Sequence, residues 1–123
     1  MFRVAMTLSL LVALGLPVLA FADGQNWAIG KWEGDINGMR SRKYGTHRVL
    51  TITSVAPDGA AKGSWASDET LHPPMHVDAD SIHFAPGNAL SRVDLKKTGA
   101  DELTGTMVYG DKTYQIRLKR SAP

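Results

Sequence analysis

The side chains best suited to bind a metal ion are three histidines in a short central stretch, His72, His76 and His83. Imidazole nitrogens are good ligands for zinc and copper, so the spacing predicts a metal site in a hairpin where His76 faces His83. In the alternative interpretation both side chains face water as cross-strand neighbours, because the apolar residues that alternate with them occupy the buried face. Because Val77, Ile82 and Phe84 occupy the buried face, the sequence favours the second interpretation, with the metal site as the alternative.

A basic segment upstream is the second candidate site. It comprises Arg40, Arg42, Lys43, His47 and Arg48, with Tyr44 among them. At the rim of a pocket, Arg40, Arg42, Lys43 and Tyr44 could hold a carboxylate or phosphate head group, since guanidinium groups bind such anions through paired hydrogen bonds. The alternative is an ordinary solvated loop, neutralised by Glu33 and Asp35 nearby.

Motifs for catalysis are missing from the sequence. There is no nucleophile elbow, no zinc-protease helix and no glycine-rich phosphate loop that opens a helix. A Ser-His-Asp set can be chosen from almost any chain of this composition, so residue counts alone do not indicate a triad. We therefore expect a protein that is not an enzyme and that needs no cofactor.

Charge and cysteine content exclude several further classes. The chain has 14 basic and 12 acidic residues and a formal net charge of +2. A nearly neutral domain lacks the surplus of cations that a dedicated nucleic-acid binder uses to neutralise phosphates, so no nucleic-acid partner is expected. With no cysteine, a disulfide scaffold, a thiol nucleophile and a thiolate metal site are excluded.

The first 22 residues have the pattern of a cleaved secretory signal. Arg3 precedes an apolar run from Leu8 to Leu16, and Ala20-Phe21-Ala22 supplies the small residues of a cleavage site. We expect cleavage between Ala22 and Asp23, a single domain over residues 23–123 in the periplasm or secreted fluid, and no membrane span in the mature form. The alternatives are an uncleaved anchor or a first core helix.

Residues 23–123 alternate between polar and apolar with a period of two, and turn signals recur at short intervals. Eight strands are predicted, at residues 28–36, 47–55, 60–66, 74–78, 81–85, 89–97, 102–109 and 112–120. Short connections favour sequential antiparallel pairing, and closing the sheet removes its edges. The predicted fold is therefore all-β, an eight-stranded antiparallel up-and-down barrel with the long connection 37–46 across one mouth.

Three turns set the predicted registers. Gly110-Asp111 is a two-residue hairpin turn that pairs Met107 with Tyr114, and a turn at Ala79-Asp80 pairs His76 with His83. For the connection 56–59, a two-residue loop puts Leu50 and Ile52 beside Gly63 and Trp65, whereas a three-residue loop puts Thr51 and Thr53 there. The first separates apolar from polar residues better, and we adopt it.

Gly30-Lys31-Trp32 at the start of the first strand, followed by a long loop and a basic residue in the last strand, resembles the calycin superfamily of lipocalin-like barrels. The resemblance implies that Trp32 closes one end of the barrel and packs on a cation from the final strand, either Arg117 or Arg120. It also implies a protein that binds a small ligand inside its barrel.

The interior of such a barrel is filled by side chains or holds one small ligand. The predicted ligand-binding residues are Trp32, Leu50, Ile52, Trp65, Met107 and Tyr114. The same residues would form an ordinary core if the barrel is filled. The leading hypothesis is an exported binding protein for a small apolar or amphipathic molecule. The second is a module or inhibitor that binds an envelope protein through its loops.

Overall fold

The computed structural model of the chain describes residues 26–41, 45–67, 69–87 and 90–122. The predicted signal segment 1–22 lies outside these residues, as do Arg42, Lys43 and Tyr44. Within them, no helix is long and apolar enough to cross a membrane. A 3₁₀ turn, Asn26–Ala28, precedes nine strands. They are β1 (Gly30–Asn37), β2 (His47–Val55), β3 (Ala60–Ala66), β4 (Thr70–Leu71), β5 (Met75–Val77), β6 (Ser81–Phe84), β7 (Ser91–Gly99), β8 (Glu102–Tyr109) and β9 (Lys112–Ala122).

The strands form one closed antiparallel barrel, as predicted. Each strand from β5 to β9 pairs with the next, β9 pairs with β1, β1 with β2 and β2 with β3, and β3 returns to β5. The ring contains eight strands because β4 and β5 occupy the same place beside β3. The predicted first strand begins two residues too early, since Asn26–Ala28 form the 3₁₀ turn and Ile29 N donates to Asn26 O.

Two prolines split the strand that faces β3. Leu71 pairs with Trp65 in β4 and Met75 pairs with Ala61 in β5, and both pairs belong to one register. That register places Pro73 opposite Gly63. Proline has no N–H to donate to the sheet, and the ring of His72 instead contacts the carbonyl of Gly63 at 3.3 Å. The split was not predicted from the sequence.

The β8–β9 hairpin has the predicted register, from Leu103 opposite Leu118 to Tyr109 opposite Lys112. The β2–β3 pairing is also as predicted, with Leu50 opposite Trp65, but the predicted two-residue loop is wrong. Ala56 N donates to Ala60 O across a three-residue loop that ends in Gly59 with φ 94°. A bulge between Ile52 and Ser54 restores the expected pairing.

The barrel interior is a packed hydrophobic core. Large side chains that are 2% exposed or less come from all around the ring, and they are Trp32, Ile36, Leu50, Ile52, Trp65, Val77, Ile82, Val93, Leu95, Leu103 and Leu118. Polar residues alternate with them on the outside, as expected for a sheet with one face in the core and one in water. Most of the interior is therefore filled by side chains.

Inward-facing glycines allow the wall to bend sharply. A Cβ atom at Gly34 would overlap the carbonyl oxygen of Arg117, and one at Gly63 would overlap that of Thr51. At Gly105 the overlap would be with the carbonyl oxygen of Asp94. Glycines at such corners let neighbouring backbones approach closely, so these positions serve strand bending rather than a central cavity.

We predict that Gly105→Ala lowers the free energy of unfolding by about 3 kcal/mol, because the new methyl group displaces the β7 backbone. Gly99→Ala is the matched control, since a Cβ there meets only Glu102 Cβ at an ordinary 3.6 Å. Urea unfolding of both variants measures the difference. Equal stabilities would contradict the role assigned to Gly105.

Candidate functional site

One end of the barrel is closed by an arginine stacked on a tryptophan. The guanidinium carbon of Arg120 lies 4.2 Å from the ring centroid of Trp32. Arg120 also donates to the carbonyls of Ile29 at 2.6 Å and Trp27 at 2.5 Å, and its Nε donates to Asp101 at 3.0 Å. The last strand is thus joined to the segment that precedes β1. The expected pair of Trp32 with a final-strand cation is confirmed, and Arg120 is the cation.

Trp27 completes the closure. Its indole Nε1 donates to Asp78 O at 3.0 Å, and its ring makes an edge contact with Trp32 at 6.3 Å between centroids. Trp32 Nε1 donates to Ala28 O at 3.0 Å. Trp32 is therefore a structural residue of the closed end, and Arg117, the other predicted partner, is exposed on the outer face.

The opposite end holds a cavity of about 130 Å³, which we call the mouth cavity. The described residues that line it are Met39, Arg48, Trp65, Ser67, Leu71, Pro86, Gly87, Ser91, Met107 and Tyr109. Arg48 is the only one of them with a charged side chain. Two predicted ligand-binding residues, Trp65 and Met107, are in this set.

The strand registers order these residues by depth. Trp65 pairs with Leu50, and Arg48 lies two residues closer to the open end on β2. Met107 pairs with Val93, two residues deeper on β7 than Ser91. Side chains two apart on a strand share a face, so the mouth cavity has an apolar floor and a polar wall above it.

Arg48 is 3% exposed, although the sequence analysis grouped it with a basic segment at a rim or in a solvated loop. Its Nη1 donates to Gly45 O and His47 O, both at 2.9 Å, and its Nη2 donates to Met39 O at 3.2 Å. These contacts fix the guanidinium at the start of β2. The signal for its burial was present, because Arg48 alternates in phase with Leu50 and Ile52.

The other predicted ligand-binding residues lie away from the mouth cavity. Leu50 and Ile52 are fully buried in the core, and Tyr114 is half-buried against it beside Gly38. Among the predicted rim residues that the structure describes, Arg40 is exposed in the connection between β1 and β2. Fewer of the predicted ligand-binding and rim residues therefore lie at the mouth cavity than the sequence indicated.

The predicted metal ligands are not brought together. His76 and His83 face each other across β5 and β6, as predicted, but His72 contacts Gly63 O. Within the described part of the chain, no group of three or more histidines, cysteines or carboxylates could hold a metal ion. Asp78 instead contacts both paired histidines, His76 at 2.8 Å and His83 at 3.2 Å.

A serine, a histidine and an aspartate do form a chain of hydrogen bonds beside these histidines, on the outer face of the barrel. Ser81 Oγ lies 2.9 Å from His83 Nε2, and His83 Nδ1 lies 2.7 Å from Asp94 Oδ1. However, Ser81 also donates to Asp78 Oδ2 at 3.1 Å, and a hydroxyl has only one proton to give. Because Asp78 competes for that proton, the arrangement links β5, β6 and β7 and does not resemble an activated nucleophile.

The two aspartates of this link are held in their ionised form. Desolvation raises the pKa of Asp94, but hydrogen bonds from His83 and Arg92 outweigh it and keep the pKa below its usual value. Desolvation also raises the pKa of Asp78, but hydrogen bonds from His76 and Ser81 outweigh it and keep the pKa below its usual value. Both carboxylates therefore stabilise the fold while they are ionised.

Two wider grooves lie on the outer wall. One, of about 540 Å³, follows the proline split beside Gly63, Pro73 and Pro74. The other, of about 480 Å³, crosses β1, β9 and β8 and is lined mainly by polar side chains such as Asp35 and Gln115. Like the mouth cavity, both are open to solvent. The mouth cavity is smaller, but it is the one where a buried cation meets apolar side chains.

Comparison with known proteins identifies no relative, since no family model, no curated protein and no solved structure matches this chain. The fold and site define a class by architecture alone. It is a closed eight-stranded antiparallel β-barrel with a filled interior, one end sealed by Arg120 and a small amphipathic cavity at the other.

We predict that Arg120→Met lowers the free energy of unfolding by about 3 kcal/mol, through loss of the stack on Trp32 and of hydrogen bonds to two carbonyls. Arg117→Met on the same strand is the control, because Arg117 is exposed. Urea unfolding with tryptophan fluorescence measures both variants. A loss of the same size in Arg117→Met would contradict the closure described above.

We predict that Asp94→Asn reduces stability at pH 7 and flattens its decline in acid. The folded pKa of Asp94 is lowered, so its stabilisation is present above the unfolded pKa of about 3.9 and is lost as the pH falls through the folded value. Urea midpoints between about pH 7 and pH 2 measure the profile. Asp111→Asn, in the exposed β8–β9 turn, is the control. Parallel profiles for Asp94→Asn and the unsubstituted protein would refute the assignment.

Proposed function

We propose that this chain is an exported binding protein, not an enzyme, that holds a small amphipathic molecule in the mouth cavity. One observation carries the proposal, namely that buried Arg48 lies above an apolar floor formed by Trp65 and Met107. Ligand sites typically combine an apolar lining with a few placed polar groups that fix orientation. The apolar part of the ligand contacts the floor and its polar part faces Arg48.

Export and a lipocalin-like relationship are part of the same proposal. Residues 1–22 supply the pattern of a secretory signal, which indicates the periplasm or secreted fluid. The stack of Trp32 on Arg120 matches the arrangement expected in the calycin superfamily and supports that relationship.

Binding is favoured over catalysis by the chemistry of the cavity lining. The described lining residues include Ser67 and Ser91 but no histidine and no carboxylate. They therefore do not supply the base that a serine nucleophile requires. Arg48, Ser67 and Ser91 are suited to positioning a polar group.

The experiment is a fluorescence titration of the mature protein with a panel of small amphipathic molecules and long-chain lipids. The chain has three tryptophans. Among the described residues that line the mouth cavity, Trp65 is the only tryptophan. We predict a saturable change that Trp65→Phe removes and Trp27→Phe retains. A panel without any saturable response, or a response that survives Trp65→Phe, would overturn the proposal.

The second candidate is a protein-interaction module with a filled barrel. It is favoured by the only two exposed large hydrophobic residues among those described, Leu90 and Tyr109, which are 63% and 45% exposed. Both lie at the open end, where Tyr109 pairs with Ser91. If the titration gives no response, a stoichiometric protein adduct in native mass spectrometry that Leu90→Asp removes would establish this candidate instead.

A further inference from the structure

We infer that the mouth cavity accepts one neutral aromatic ring that carries a single hydroxyl group, a ligand of the phenol class. This inference rests on the proposed binding function and specifies the chemical class that the cavity accepts. It depends on three properties of the open end, which are the volume of the cavity, the side chains of its apolar surface and the polar groups that remain available to a ligand.

The volume of the mouth cavity matches one ring. It measures about 130 Å³, and an engineered apolar cavity of about 150 Å³ in another protein binds benzene. Sites for drug-sized ligands are larger, at about 300 to 1,000 Å³. Trp65 forms the floor and packs on Phe84, with 5.2 Å between ring centroids. Because that floor is densely packed, any part of a ligand beyond one ring lies outside, in solvent.

The apolar surface of the cavity favours an aromatic ring over a saturated one. The lining includes the aromatic residues Trp65 and Tyr109 and the methionines Met39 and Met107. Aromatic rings attract one another in edge and offset arrangements, and methionine sulfur makes favourable contacts with aromatic rings. A saturated ring of the same size gains neither contribution.

The charges at the cavity favour a neutral ligand. Three carbonyl groups, of Gly45, His47 and Met39, already accept hydrogen bonds from the Arg48 guanidinium, so no bond to the ligand is assigned to it. No other charged side chain belongs to the described residues that line the cavity. A charged head group would therefore lose its water without gaining an ion pair, which is costly in an apolar site.

Two hydroxyl groups supply polar contacts for a neutral ligand. Ser67 and Tyr109 both line the cavity. Within the described part of the chain, neither side-chain hydroxyl has a hydrogen-bond partner. A hydroxyl both donates and accepts, so each can exchange a water molecule for a ligand hydroxyl without breaking a bond inside the protein. A single hydroxyl on the ring therefore suits the polar part of the cavity.

The test compares four probes by chemical-shift titration of the folded mature protein. Phenol represents the inferred class and is neutral at about pH 7, because phenolic hydroxyls ionise at about pH 10. Benzoate adds a charge, toluene lacks the hydroxyl and cyclohexanol lacks the aromatic ring. We expect phenol to bind about ten-fold more tightly than benzoate and about three-fold more tightly than toluene or cyclohexanol.

A first pair of variants tests the contacts to the ligand hydroxyl. The double substitution Ser67→Ala with Tyr109→Phe removes both side-chain hydroxyls, and we expect the preference for phenol over toluene to disappear. Ser54→Ala is the control, because Ser54 is exposed and does not line the cavity. It should leave the preference unchanged.

A second pair tests the contacts to the aromatic ring. The double substitution Met39→Leu with Met107→Leu removes both sulfur atoms with little change of volume. We expect the preference for phenol over cyclohexanol to fall by about two-fold. Met75→Leu is the control, since Met75 is buried in the core and does not line the cavity.

The outcomes separate the inference from the proposed function. Benzoate binding as tightly as phenol would overturn the neutral class, and toluene or cyclohexanol doing so would overturn the hydroxyl or the aromatic ring. Preferences that survive the double substitutions would overturn the contacts assigned to those side chains. Failure of all four probes while the panel of the fluorescence titration responds would refute the inference alone. Failure of all four with no response in that panel would refute the binding function as well.

Discussion

The organisation of this barrel depends on the contacts that the Arg120 guanidinium makes at one end. A barrel whose last strand pairs with its first still needs an end that excludes water from the core. Here one cation from β9 stacks on Trp32 and binds the carbonyls of Trp27 and Ile29, so the segment before β1 is fixed across the opening. Because this end is closed, any ligand must enter the interior at the other end.

The filled interior explains why the candidate site is small and peripheral. Inward glycines such as Gly105 draw neighbouring strands together, and large side chains such as Leu50, Leu95 and Leu118 occupy the space that remains. Dense packing of this kind leaves few voids, and the mouth cavity lies where the wall ends. At the open end, Arg48 and Ser91 take the inward positions that apolar residues hold deeper in the barrel.

The outer wall has a different role. The shortest strands are β4, β5 and β6, and Pro73, which lies between β4 and β5, has no N–H to donate to the sheet. On this side His83 contacts both Asp78 and Asp94, which joins the adjoining strands outside the core. Two of the histidines that the sequence offers as metal ligands, His76 and His83, are thus accounted for by contacts with Asp78 and Asp94 that support the wall.

The order of strands and most of their registers were predictable from the sequence, because a period of two and short turns act locally. The pairing of Met107 with Tyr114 follows from the Gly110-Asp111 turn alone, for example. What local patterns did not predict depends on contacts distant in the chain. The bulge near Thr53 compensates for the longer loop, and the break at Pro73 and Pro74 divides a strand whose two parts keep one register along β3.

The candidate site was predictable in part. Trp65 and Met107 were identified as inward-facing residues, and the structure places both at the mouth cavity. Trp32 was expected both to close the barrel and to bind a ligand, and its position at the sealed end leaves only the first role compatible with a ligand at the mouth. Arg48 was grouped with the basic segment, interpreted as a head-group site or a solvated loop, because burial of a cation depends on carbonyl groups that only the folded chain brings together.

The most direct measurement is a methyl NMR titration of protein labelled at methionine, using as the probe the small amphipathic molecule that gives the strongest saturable response in the fluorescence titration. Met39 and Met107 line the mouth cavity, whereas Met75 is buried between Ala61 and Phe84 and does not line it. Binding at the mouth predicts saturable shifts of the Met39 and Met107 methyl signals with Met75 unchanged. Shifts centred on Met75, or no shift of any methionine methyl at a saturating concentration of that probe, would contradict the account.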